Sequence, residues 1–144
     1  MNNVVMKLLL LVFFAFFSLN LTTAFAQSEL SEKDELVVLW TSDDTYLAET
    51  VVFMYTHEAK ASEWFDEVTL IIWGPSAKLT AENVVIQELL EDMHRDGVQI
   101  EACVVCANEY GVNEDLDELG FIELKPMGRH LTDYIKSDVH LITF

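Results

Sequence analysis

Hydrophobic positions fall into two alternating kinds of segment. Leu36-Val37-Val38-Leu39-Trp40 and Val68-Thr69-Leu70-Ile71-Ile72-Trp73 are continuous apolar runs of strand length, the pattern of strands buried on both faces. Between them, Leu47, Val51, Val52, Tyr55 and Ala59 recur at helical spacing over 45–62, so the first unit reads strand, helix, strand. Ser42, Asp43 and Asp44 break the first run and supply a helix cap. Gly74-Pro75 closes the second run, where proline stops a strand and can open a helical turn.

The alternation continues. Val85, Leu89 and Met93, beside Ile86 and Leu90, predict a helix over 81–96 that Gly97 ends. Val98, Ile100 and Ala102 then alternate with Gln99, Glu101 and Cys103 as a third strand. One helical turn over 106–110 and a short helix over 114–119 precede a fourth strand at 121–126. A helix over 131–137 and a fifth strand at 139–144 end the chain. Strands alternating with helices predict one α/β domain: a five-stranded parallel sheet in three α/β/α layers, of flavodoxin or Rossmann-like topology, with right-handed crossovers.

The N-terminus departs from this pattern. Lys7 is followed by the ten-residue apolar run Leu8–Phe17, and Ala24-Phe25-Ala26 ends the segment with small residues. This is the layout of a secretory signal peptide over 1–26, and the run falls short of the ~20 residues of a membrane span. The expected mature protein is a single domain over 27–144, periplasmic or secreted, with no stable membrane anchor after cleavage near Ala26.

Charge sharpens the picture. The formal net charge is −17, and a surface so negative repels phosphate backbones, which argues against nucleic acid as a partner. No Gly-rich phosphate loop follows the first strand; Ser42-Asp43-Asp44 puts carboxylates there instead, so no nucleotide or flavin cofactor is expected.

Candidate chemistry concentrates at one edge. In open α/β sheets, ligands sit beyond the carboxyl ends of the strands, near a reversal of strand order. That edge gathers Thr41 and Ser42, then Trp73 and Gly74, then Cys103 and Cys106, then Gly128, where His130 is read as a solvated loop residue. Cys103 and Cys106 are the only cysteines. A thiol at a helix start, with a second thiol to resolve a mixed disulfide or persulfide, suits sulfur or electron chemistry. The acidic neighbours Glu101 and Glu109 oppose thiolate formation. An incidental disulfide in an oxidising compartment is the alternative, and it would stabilise little because the loop it closes is short. A metal site lacks a second ligand pair.

The stretches Val68–Leu79, Gly97–Ala107 with Tyr110-Gly111-Val112, and Met127–Phe144 together resemble the DsrE/DsrF-like family. The resemblance implies a compact α/β/α domain assembled into homo- or hetero-oligomers such as trimers and hexamers, some members of which relay sulfur as a cysteine persulfide to a carrier-protein partner. In those members the acceptor cysteine ends the third strand, eight residues before a Gly-Val pair. Cys103 stands eight residues before Gly111-Val112, and Cys106 is an additional thiol. Two functions are therefore expected to compete: sulfane-sulfur acceptance or thiol exchange at Cys103, and a non-enzymatic oligomeric binding or assembly module with an idle cysteine pair.

Overall fold

Five parallel strands form the centre of the fold in a computed structural model, which describes residues 34–144. The expected signal peptide and the polar lead-in to Lys33 lie outside the described residues. The strands are β1 (Glu35–Trp40), β2 (Glu67–Ile72), β3 (Gln99–Cys103), β4 (Ile122–Lys125) and β5 (His140–Thr143). Their order in the sheet is β4-β3-β2-β1-β5, with every pair parallel.

The helices follow from that order. Thr45–Leu47, Ala48–Phe53 and Met54–Ala61 run on as one helix, α1, whose middle segment is π-wound. Next come α2 (Pro75–Glu82), α3 (Val84–Arg95), α4 (Val104–Tyr110), α5 (Asn113–Glu118) and α6 (Met127–Lys136). From β1 to β4 the chain steps in one direction across the sheet, and α1 to α5 bury their apolar sides on one face. β5 lies back beside β1, so its crossover runs the opposite way. A right-handed connection in the reverse direction must pass over the other face, and α6 covers that face, packing Met127 and Leu131 on Val37, Leu39, Ile71 and Cys103.

Three local differences from the sequence reading have physical causes. The helix expected over 81–96 begins at Val84, because the Asn83 side chain accepts the N–H groups of Val85 and Ile86 as an N-cap. α2 precedes it as a separate helix with Pro75 in its first turn, where the missing N–H costs nothing. α6 starts at Met127, before the expected 131, so His130 is helical. In α1 the π turn widens the winding and carries Phe53 into the core, its ring 5.0 Å from that of Trp40 at 82°, while Val51 turns outward.

The larger core gathers Trp40, Leu70, Ile72, Ile86, Leu90, Met93 and Leu116, all buried. The reversal of strand order lies between β1 and β5, closed by Phe144: its carbonyl accepts the Thr41 N–H and hydroxyl, each at 2.9 Å. The cysteines stand after β3, two strands from β1. They occupy the carboxyl edge but not the switch point.

Candidate functional site

Both cysteines are free thiols. β3 carries Cys103 to the carboxyl edge, and its side chain caps α4: Sγ accepts the backbone N–H of Cys106 at 3.3 Å. Gly111 ends the helix in the left-handed region, its N–H bonded back to Ala107 and Asn108. Cys103 is buried, at 3 % exposure, among the residues under α6; Cys106 is half-buried and touches both cores. Burial and the hydrogen bond to Cys103 push the Cys106 thiol up to about 11, against the opposing effect of the Gly74 backbone. Cys106 is therefore a protonated neighbour at neutral pH.

Of the other expected site residues, several converge here. Gly74 lies against Cys106 and adopts φ 77°, ψ −135°, a conformation open to glycine alone. A Cβ there would stand 4.0 Å from the Thr41 carbonyl, so the ends of β1 and β2 meet at this glycine. Trp73 packs half-buried on the cluster that holds Cys103, and its N–H donates to the Trp40 carbonyl. Ser42 instead forms a local turn, its hydroxyl accepting the Asp44 N–H, and Asp44 caps α1 through Leu47. Gly128 is exposed in the first turn of α6 and accepts the Thr132 hydroxyl. A cleft of about 400 Å³ opens nearby, lined by Asp43, Pro75, Lys78, Leu79, Glu82 and Tyr110.

A polar cluster that the sequence reading missed lies on the same strand face as Cys103. Glu101 is buried, at 2 % exposure, yet its carboxylate is fully engaged. Lys125 Nζ donates to Oε1 at 2.7 Å, His130 Nε2 lies 2.9 Å from Oε2, and the Tyr134 hydroxyl lies 3.5 Å from Oε1. Lys125 also reaches Glu123 at 3.1 Å. Burial acts against the Lys125 ammonium, but hydrogen bonds to Glu101 and Glu123 outweigh it and hold the ammonium above the ordinary lysine range. Burial and the Glu101 charge push the Tyr134 hydroxyl upward in turn.

His130 is thus a partner of the buried carboxylate, not a solvated loop histidine. Glu101, expected to oppose thiolate formation as a negative neighbour, is ion-paired with a lysine. The signal available in the sequence was the alternation itself, which puts Gln99, Glu101 and Cys103 on one face of a strand whose other face is wholly apolar. Among the described residues, no three His, Cys, Asp or Glu side chains converge as a metal site would require.

These features define an open α/β domain with a capped thiol pair at its carboxyl edge. The chain belongs to the DsrE/DsrF-like family, whose model matches residues 19–144. It is similar to BT1422 of Bacteroides thetaiotaomicron, a conserved protein of unknown function: 32 % identity over 81 % of this chain and all of that one, with a TM-score of 0.76. The ychN protein of E. coli shares the fold, at 15 % identity over 78 % of this chain and 99 % of that one, with a TM-score of 0.59. No curated protein matches the sequence.

Proposed function

We propose that this protein is an exported DsrE-like domain that accepts sulfane sulfur, or exchanges thiols, on Cys103, with Cys106 as the second thiol. The observation that carries the reading is the cap: Cys103 Sγ accepts the Cys106 N–H, a hydrogen bond that favours charge on sulfur. Cys106, with its proton held to about 11, is a neutral thiol at neutral pH and suits a resolving role. In the transfer step the Cys103 thiolate attacks the outer sulfur of a donor persulfide. The new S–S bond forms as the donor's S–S bond breaks, and the donor leaves as a thiolate with the electron pair, so there is no net oxidation. The signal-like segment over 1–26 supports export, and the family resemblance supports assembly into a trimer or hexamer with a sulfur-carrier protein as partner.

The second reading is a non-enzymatic binding or assembly module. The burial of Cys103 favours it, since a donor reaches a buried sulfur only if the edge opens. Replacing both cysteines with serine separates the two. The module reading predicts unchanged oligomeric state with no thiol-dependent activity in either form, and the relay reading predicts sulfur uptake that the replacement abolishes.

A further inference from the structure

The sheet register places a cation beside the candidate acceptor. Cys103 of β3 is paired with Lys125 of β4, and Glu101 with Glu123. Paired residues of neighbouring parallel strands point to the same face, with strands about 4.8 Å apart, so the Lys125 stem leaves the sheet next to Cys103. Its ammonium turns back along the strands to Glu101 and Glu123. The lysine side chain keeps 23 % exposure while paired with both carboxylates.

We propose that Lys125 is the countercharge for an anionic sulfur on Cys103, parked on Glu101 until that charge forms. The proposal rests on the sulfur-acceptor reading above and names the group that stabilises its product. A persulfide is a stronger acid than its parent thiol, so the terminal sulfur carries a negative charge near neutral pH. In a buried position that charge needs a partner, and the single neutral N–H of Cys106 is a weak one. When Lys125 leaves, the Glu101 carboxylate keeps His130 at Oε2, and the Tyr134 hydroxyl stands 3.5 Å from Oε1.

The titratable groups around Cys103 are Glu101 on its own strand, Glu123 and Lys125 on β4, His130 and Tyr134 on α6, and Cys106 on α4. Their signs predict opposite responses. Removing the lysine charge leaves two carboxylates facing the thiol and raises its pKa; neutralising Glu101 frees the lysine and lowers it.

The test is a pH titration of thiolate ultraviolet absorbance in a Cys106→Ser background, which leaves Cys103 as the only thiol. Lys125→Met is expected to raise the Cys103 pKa by about one unit and Glu101→Gln to lower it by a similar amount, with Lys125→Arg close to the parent. A parent-like value in Lys125→Met, or shifts of the same sign in both variants, overturns the countercharge. Should Lys125→Met not fold, a Glu101→Gln pKa that is unchanged or raised overturns it as well. Sulfur uptake by the parent, followed by intact mass, is read separately. Uptake with an unmoved pKa rejects the countercharge alone, and the expected pKa shifts without uptake reject the relay reading alone.

Discussion

Cys103 Sγ accepts the backbone N–H of Cys106 at 3.3 Å, so the first thiol of the pair caps the helix that carries the second. Cys106, half-buried and hydrogen-bonded to Cys103, has its proton held to about 11. A C-x-x-C pair with these geometries offers one candidate nucleophile and one reserve thiol.

Glycine at position 74 is required by its backbone. With φ at 77° and ψ at −135°, any Cβ-bearing residue is strained by about 1–3 kcal/mol. Gly74→Ala is therefore expected to lower unfolding stability by that amount in urea denaturation and to disturb the Cys106 environment, although the nearest atom to the new methyl is at an unstrained 4.0 Å.

The Glu101 cluster obeys the logic of buried charge. Lys125→Met leaves a carboxylate of 2 % exposure with only His130 and Tyr134. A fully buried pair broken this way loses ~3–5 kcal/mol; because the lysine end reaches solvent, about 1–3 kcal/mol is expected here. Adding Glu101→Leu to Lys125→Met should recover part of that loss, since the orphaned charge is gone. Chemical denaturation of the single and double variants checks the sign.

Alkaline pH should weaken the fold. Cys106, Lys125 and Tyr134 all have folded pKa values above their ordinary ones, so the native state holds more protons than the unfolded chain once the pH passes the unfolded values. Stability then falls with rising pH. For Cys106 the contribution is fully present below its ordinary 9.0 and is lost as the pH passes through about 11. Denaturation midpoints measured across that window should decline, and Cys106→Ser should decline less steeply.

Trp40 fills the core with its ring but leaves its indole nitrogen without a hydrogen-bond partner. Trp40→Ala is expected to cost about 3–5 kcal/mol through cavity formation. Trp40→Phe keeps much of the ring against Phe53 and removes the unsatisfied N–H, so it should cost well under half as much. Thermal unfolding of the two variants gives the comparison.

Much of the fold was legible because period and punctuation agree: the apolar runs at 36–40 and 68–73 became β1 and β2, and Gly97 and Gly111 ended helices where expected. Cap chemistry hid the division between α2 and α3, since Asn83 interrupts a pattern whose apolar spacing runs on without a break. At the site, the placement of Cys103 at the end of β3 followed from strand alternation. The Lys125–Cys103 pairing did not, because register between strands separated by two helices is a tertiary property. His130 likewise became a carboxylate partner only once α6 crossed to the second face of the sheet.

Sulfur acceptance at Cys103 is decided by intact mass spectrometry after exposure of the reduced protein to polysulfide. The expected result is a gain equal to one or more sulfur atoms that maps to Cys103, is reversed by reductant, and is absent in Cys103→Ser while persisting in Cys106→Ser. An unchanged mass in the reduced wild-type protein, or a gain that survives Cys103→Ser, would contradict it.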